Sequence, residues 1–232
     1  MRGDRADPVI AIDGPGGAGK STTAHAVAEI IDCRHLDSGA LYRAVAFQVL
    51  RNGAADPART DLALAAEAAA RQVAIEPLGD EPCFRVLAAG EALGSELRAP
   101  EVTSFASKIA VFRGVRDELL GLQRKAIDLG AIVCDGRDMG TVVFPDAALK
   151  VFLVAEVEER ARRRYLARTD GGPMPATMVA DLRIRDERDA TRKHAPLAEA
   201  DEARVIDTTL LTLEEQTEIV AELAVEAGFR RR

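Results

Sequence analysis

An α/β fold with a parallel sheet flanked by helices is predicted by three observations. A short apolar, branched run, Val9-Ile10-Ala11-Ile12, passes through a glycine-rich turn into an alanine-rich helical stretch at about 20–31. The same alternation recurs, with short strands read at 33–37, 131–134, 149–154 and 205–207 separated by helical stretches, as in parallel strands covered on both faces. Finally, 232 residues with 47% hydrophobic and 30% charged content suffice for one core carrying small inserts.

In chain order, residues 1–8 are polar and charged and read as a disordered leader before a domain spanning 9–229. Ser38-Gly39 opens a helix to about residue 50, closed by Asn52-Gly53. An alanine-rich helix follows at 60–71, with Thr60 or Asp61 as its cap. From 72 to 98 the period changes. Val73-Ala74-Ile75, Phe84-Arg85-Val86-Leu87 and Ala92-Leu93, separated by Pro and Gly turns, predict a small antiparallel insert. Pro100 starts a helix, as proline favours the first turn. Another helix runs from about 115 to 129, closed by Gly130. A highly charged helix is expected at 156–168, a breaker at 169–173, a further helix at about 176–192, and an amphipathic terminal helix at 213–227.

The turn after the first strand carries the most chemistry. Gly14 to Ser21 satisfies G-x-x-x-x-G-K-[ST], a loop whose glycines let successive backbone N–H groups converge on phosphate oxygens. The following helix N-terminus adds its own unpaired donors and partial positive charge. Nucleotide phosphate contacts are therefore expected from Gly14, Pro15, Gly16, Gly17, Ala18, Gly19, Lys20, Ser21 and Thr22. Lys20 reaches the β- and γ-phosphates and the Ser21 hydroxyl holds Mg²⁺ in this reading. Gly14-x-Gly16-x-x-Gly19 also fits a dinucleotide fingerprint, with Asp37 near the distance of its ribose acid. That alternative leaves Lys20-Ser21 unexplained. A ligand-free glycine turn is the plainest alternative.

Composition narrows the partners. A formal net charge of −7 gives no basic excess for nucleic acid or an anionic membrane surface. No apolar run has membrane length, and residues 1–8 lack the apolar core of a signal peptide, so a cytoplasmic location is expected. Cys33, Cys83 and Cys134 are isolated, odd in number and without CxxC spacing. They read as small core residues in a reducing compartment, neither disulfides nor zinc ligands. His25, His35 and His194 show no metal or triad spacing and read as ordinary surface or buried polar residues.

Three strand ends carry unusual polar groups: Gly14 to Ser21, Asp37-Ser38-Gly39, and Asp135-Gly136-Arg137-Asp138. In open α/β sheets ligands sit beyond the carboxyl ends of strands. Asp37 and Asp135 are equal candidates for organising water around Mg²⁺. Arg43 and Arg137, just past strand ends, suit bidentate phosphate contacts. Arg160, Arg163 and Arg164 cluster beside Glu158 and Glu159, while Arg183, Arg185, Arg188 and Arg192 alternate with carboxylates. Both sets fit either a salt-bridged helix surface or a helical lid that swings arginines onto phosphates.

The stretches IAIDGPGGAGKSTTA, LDSGALYRAVA, GSELRAPEVTSFASKIA, VRDELLGLQR, CDGRDMGTVVFPDA and RDERDATRKHAPL together make the chain resemble the bacterial-type cytidylate kinases of the nucleoside monophosphate kinase superfamily. The resemblance implies a P-loop kinase fold with a core at 9–38, 100–155 and 193–229. It implies a monophosphate-binding region with a small antiparallel sheet at about 39–99 and a helical lid at about 156–192. It further implies transfer of the γ-phosphoryl of ATP to CMP or dCMP with Mg²⁺, by a monomer with no nucleic-acid or membrane partner. Carried over by motif, Ser38, Arg43 and Arg137 hold the acceptor nucleotide, both arginines on its phosphate. Ser107, Arg116 and Asp138 read cytosine. Arg185 sits near the phosphates, Asp189 on the sugar, and Arg192 makes a second nucleotide contact. Arg160 and Arg164 belong to the ATP side of the lid. Lys20, Arg137 and Arg185 are the expected catalytic charges.

Overall fold

Alternate side chains of the first strand go to opposite faces, and that alternation builds the core. In the computed structural model, which describes residues 7–56, 61–79, 81–167 and 174–232, the chain runs β1 (Asp7–Asp13), α1 (Lys20–Ile30), β2 (Arg34–Asp37), α2 (Ser38–Arg51), α3 (Leu62–Ala70), β3 (Val73–Pro77), β4 (Phe84–Ala88), β5 (Glu91–Leu93), α4 (Pro100–Ile109), α5 (Arg113–Lys125), β6 (Ile132–Asp135), β7 (Ala147–Val154), α6 (Val157–Leu166), α7 (Met178–Thr191), β8 (Arg204–Asp207) and α8 (Leu213–Glu226). Ile10 and Ile12 pack with Val27, Ala28, Val220, Ala221 and Ala224 of α1 and α8. Val9 and Ala11 point the other way, into a cluster with Leu36, Ile132, Cys134, Met139 and Phe144. Fully burying a side chain of Val or Ile size contributes roughly 1.5–3 kcal/mol, so β1 anchors both layers.

Among the described residues, five parallel strands lie in the order β2-β6-β1-β7-β8, and β3-β4-β5 form a separate antiparallel sheet. Both were expected from the apolar runs. Strand order reverses about β1, which places the turn after β1 at the crevice where open sheets bind ligands.

Three expectations change. The strand begins at Asp7, so residues 7 and 8 are not leader; residues 1–6 lie outside the described residues. At the other end, backbone bonds from Asp32 N to Arg230 O (3.1 Å) and from Arg232 N to Ile30 O (2.8 Å) tie residues 230–232 to the end of α1, beyond the expected limit at 229. Finally, α4 and most of α5 pack away from the sheet core, with Leu120 of α5 reaching the cluster of Val9, Leu36 and Ile132. Their apolar faces, Val102, Ala106, Ile109, Val115 and Leu119, share a cluster with α2, α3 and the small sheet. An amphipathic helix goes where its apolar stripe is covered, and α2 offers that cover.

Candidate active site

Register decides what meets at the rim. Ile12 of β1 and Asp37 of β2 both pair with Asp135 of β6, so the segments after these strands open side by side. Gly14 has φ 145°, and a Cβ there would lie 2.1 Å from the Leu153 carbonyl oxygen. Gly19, at φ 93°, is the N-cap of α1, with no side-chain cap and no acidic residue in the first turn. By contrast Asp37 caps α2, and Thr212 with Glu215 closes a capping box on α8. The first N–H groups of α1, which have no intrahelical acceptor, therefore meet no side-chain cap. Lys20 is buried and donates from Nζ to Pro15 O at 2.8 Å. Burial, then the Arg137 charge, hold its ammonium well below the usual lysine range.

Beside it, Ser21 Oγ donates to Asp135 Oδ2 at 2.5 Å, and His35 Nε2 lies 2.8 Å from Asp135 Oδ1. Burial opposes ionisation of Asp135, but the bonds from His35 and Ser21 and the Lys20 charge outweigh it, and its carboxyl stays below the ordinary range. Asp37 is otherwise committed: Oδ1 accepts from Ala40 N (2.9 Å) and Oδ2 from Arg43 Nη2 (2.6 Å). Ser21 and Asp135 thus form the pair of hard oxygen donors at the head of α1.

The Asp135-Gly136-Arg137-Asp138 segment runs into a π-helical turn, Met139–Val143, that sequence periodicity does not reveal. Asp13 holds it, accepting from Met139 N at 2.9 Å and Gly140 N at 2.8 Å. Burial pushes the Asp13 carboxyl up to about 6 despite these two bonds.

Positive charge then accumulates without matching protein partners. Arg137 Nε donates to Asp189 Oδ2 at 2.9 Å, and Arg185 Nε lies 4.0 Å from the same oxygen. Arg185 Nε and Arg43 Nε are buried with no hydrogen-bond partner among the described residues. Burial, and after it the neighbouring Arg137, push the Arg185 guanidinium down to about 10; Asp189 opposes this, while Arg164 and Arg43 add to it. Asp189 itself is held below the usual carboxylate range: burial raises it, but Arg137 and Arg185 prevail. One carboxylate between two arginines, with Lys20, Arg43 and Arg164 nearby, leaves a surplus that an anion of several oxygens would satisfy.

Next to this surplus, Asp138 is ion-paired with Arg116 through Oδ2 and with Arg192 Nη2 at 3.4 Å through Oδ1. Burial raises the Asp138 carboxyl despite Arg116 and Arg192. The Arg116 guanidinium lies 5.6 Å from the centre of the Tyr42 ring. Ser107 Oγ accepts from Arg188 Nη1 at 3.2 Å. Tyr42, Ser107, Arg116, Asp138 and Arg192 border a cavity of about 620 Å³ that extends past the glycine loop to Leu211, Thr212 and Gln216 before and within α8.

A family model described as Cytidylate kinase matches residues 10–226. The chain belongs to the cytidylate kinase family. It is 46% identical over 217 residues to a cytidylate kinase of Bordetella bronchiseptica, covering 93% of this chain and 94% of that one. Identity to a cytidylate kinase of Pseudomonas paraeruginosa is 41% over 224 residues, 96% and 97% of the two chains. With a cytidylate kinase of Cupriavidus necator it is 47% over 216 residues, covering 92% and 94%.

Most residues singled out in sequence line the cavity of this kinase: Gly16, Gly17, Gly19, Lys20, Ser21, Thr22, Ser38, Arg43, Ser107, Arg116, Arg137, Asp138, Arg164, Arg185, Asp189 and Arg192. Gly14, Pro15, Ala18 and Arg160 do not. Gly14 is pressed against β7, and Ala18 is wholly buried behind the loop. Arg160 spends its donors on protein oxygens: Ala155 O (2.9 Å), Gly16 O (2.9 Å) and Asp186 Oδ2 (2.7 Å). It braces the glycine loop against α6 and α7.

The charged helices divide residue by residue. Arg183 with Glu158 (3.0 Å) is a surface pair, whereas Arg162, paired with Glu159 (2.7 Å), borders the cavity together with Arg163, Arg164 and Arg185. The breaker 169–173 lies outside the described residues. Three residues escaped the sequence reading. Asp13, the last residue of β1, and Gln216, whose Nε2 donates to Thr23 Oγ1 at 2.7 Å, were not singled out. His35 passed for an ordinary polar residue. Cys33 and Cys134 are core residues as expected, but Cys83 is only half-buried and its Sγ lies 3.3 Å from His25 Nδ1.

Proposed function

We propose that this kinase transfers the γ-phosphoryl group of ATP to CMP or dCMP, giving ADP and CDP or dCDP. The observation that carries the reading is the buried, unpartnered Nε of Arg185 beside Arg137, in a cavity joining the glycine loop to Asp138. Buried polar groups lacking partners are costly, and phosphate oxygens supply what the protein withholds.

The acceptor phosphate is already anionic, so no strong general base is required. Catalysis is positioning plus charge neutralisation. Lys20 swings from Pro15 O to the transferring phosphoryl group; Arg43 and Arg137 hold the acceptor phosphate; Arg185 neutralises charge between donor and acceptor. Asp189 keeps Arg137 and Arg185 close while their guanidinium edges stay open to oxygen, and binds the acceptor sugar. Ser38, whose Oγ donates to Asp135 O at 2.6 Å, forms the edge of the acceptor site. Ser107, Arg116, Asp138 and Arg192 face the base: a carboxylate accepts from the cytosine amino group, and Arg and Ser donate to O2 and N3. Arg164 lies on the ATP side, and α6 and α7 close as a lid that excludes water.

The pairing of a serine hydroxyl with a carboxylate fits magnesium, which takes few protein oxygens and keeps several waters. Ser21 would hold Mg²⁺, with Asp135, rather than Asp37, ordering its waters; the ion would neutralise phosphate charge. One chain carries every residue of this reading, so a monomer suffices, and we place it in the cytoplasm, where its nucleotides are. Among the described residues no helix is long and apolar enough to cross a membrane.

ADP release measured over a panel of nucleoside monophosphates tests the reading. CMP and dCMP should be the best acceptors, and equal turnover of CMP, UMP and AMP would refute it.

A further inference from the structure

Away from the cavity, three elements bring together residues that are far apart in sequence. His25 lies on α1, His35 on β2, and Cys83 just before β4, in the small sheet. One ring nitrogen of each histidine and the Cys83 Sγ all lie within 4.8 Å of one another. The tightest contact is 3.3 Å, Cys83 Sγ to His25 Nδ1. Backbone fixes the juxtaposition: His35 N donates to Pro82 O at 2.5 Å, and His35 and Cys83 form an isolated parallel bridge.

Both rings present the same edge. His35 Nε2 is committed to Asp135 Oδ1 at 2.8 Å, and His25 Nε2 faces Glu29 Oε1 at 3.7 Å. Nδ1 is therefore the nitrogen each has to offer. A histidine that ligates a metal typically donates its other N–H to a carboxylate, which fixes tautomer and ring orientation; His35 has that arrangement with Asp135, and His25 has the Glu29 carboxylate nearby. Two imidazoles and a thiolate suit a borderline-soft divalent ion. Tetrahedral bonds of about 2.0–2.1 Å to nitrogen and 2.3 Å to sulfur put ligand atoms roughly 3.3–3.6 Å apart, so only a small contraction of the cluster is needed.

We infer that His25, His35 and Cys83 form a site for a Zn²⁺-class divalent ion, with a fourth position open to water because His25 is solvent-exposed. Binding displaces the thiol proton of Cys83 and any proton on the two Nδ1 atoms, which pass to solvent. The ion would clamp α1, β2 and the small sheet together. Through His35 it would also fix Asp135, the carboxylate bonded to Ser21. This link to magnesium rests on the proposed function, but the site itself does not.

Zn²⁺ alone, titrated into the nucleotide-free protein with excess Mg²⁺ present, should bind with one-to-one stoichiometry. At a hundredfold excess over Kd it should raise Tm by roughly 5–10 °C. Co²⁺ in its place should give the thiolate charge-transfer band and the intense visible bands of a tetrahedral site. Cys83→Ser should abolish the charge-transfer band, and His25→Ala, at an exposed position where folding is not at stake, should abolish the Tm shift. Zn²⁺ should also protect Cys83, the one half-buried thiol, from alkylation. Equal Zn²⁺ shifts in wild type, Cys83→Ser and His25→Ala would overturn the inference. Absence of a thiolate band in the wild type, or unprotected Cys83 at saturating Zn²⁺, would do so too. Kinase activity plays no part in these readouts, so failure here leaves the proposed reaction standing, and failure of the reaction leaves this site standing.

Discussion

Ser21 Oγ and Asp135 Oδ2 are 2.5 Å apart, a bond between the first turn of α1 and the last residue of β6, 114 positions away in sequence. It brings together the two oxygens that the proposed magnesium site needs. Asp135→Asn keeps the shape and removes the charge. We expect kcat to fall by roughly 10²-fold or more, and the Mg²⁺ midpoint to rise, as when a principal electrostatic contact is lost. A Mg²⁺ titration of initial rates on both proteins is the check, and an unchanged midpoint contradicts the assignment. The corresponding Asp37→Asn, which loosens Arg43, should raise KM for CMP while leaving the Mg²⁺ midpoint in place.

Lys20→Ala should leave a folded protein with activity reduced by roughly 10²-fold or more, because a positive charge close to the transferring phosphoryl group is gone. Near-native turnover in the purified variant would remove Lys20 from the mechanism.

Arg185 is held among like charges in the free protein, so it is there for ligand and not for stability. Arg185→Ala should have a ligand-free Tm no lower than that of wild type. The Tm rise produced by a bisubstrate analogue should shrink by several degrees, since a charged hydrogen bond contributes about 1.5–3 kcal/mol. Thermal denaturation with and without the analogue decides; an undiminished rise would mean that Arg185 does not touch phosphate.

Base choice rests on Asp138 with Arg116 and Arg192. Where cytosine offers an amino donor, uracil offers a carbonyl oxygen, which would face the carboxylate as a second acceptor. At about 1–3 kcal/mol per mismatched buried group, kcat/KM should favour CMP over UMP by roughly 10- to 1000-fold. Asp138→Ala should lower CMP efficiency far more than UMP efficiency. Arg137→Ala should lower both, because both substrates carry the phosphate. If Asp138→Ala reduces the two alike, Asp138 does not read the base.

Asp13 provides a pH signature of stability. Its carboxyl, raised from 3.8 to about 6 by burial, is easier to protonate folded than unfolded. Folding therefore gains from Asp13 fully below about pH 4 and loses that gain as pH rises through 6. That difference amounts to about 3 kcal/mol. Urea unfolding of wild type and Asp13→Asn at pH 4 and pH 7.5 should show wild type losing more stability than the variant over that interval. Parallel behaviour of the two proteins would show that Asp13 does not titrate in this way.

Much of the architecture was legible because its causes are local. The branched run Val9 to Ile12 needs burial on both faces, the glycines after it need their turn, and Pro100 and Gly130 punctuate helices wherever they stand. Chemistry concentrated at strand ends was legible for the same reason: Gly14 to Ser21, Asp37-Ser38 and Asp135 to Asp138 each follow a strand, and strand ends in such sheets face ligand.

Pairing could not be read, since it depends on register and on which apolar faces find cover. That Asp135 rather than Asp37 meets Ser21 follows from β6 lying between β2 and β1, a position no local pattern encodes. Arg160 and Arg164 lie one turn apart on the same face of α6, yet Arg160 is buried on the Gly16 carbonyl and Asp186 while Arg164 lines the cavity, because only the first of the two has those partners within reach. Asp13 became the anchor of residues 139 and 140 only when β1 and β6 aligned. The sequence by itself determined the elements, the phosphate loop and the residues able to bear charge. Tertiary structure alone decided which charges are paired within the protein, as Asp37 with Arg43, and which, like Arg185 Nε, are left open, because pairing energies depend on distance and burial and neither is a local property of the chain.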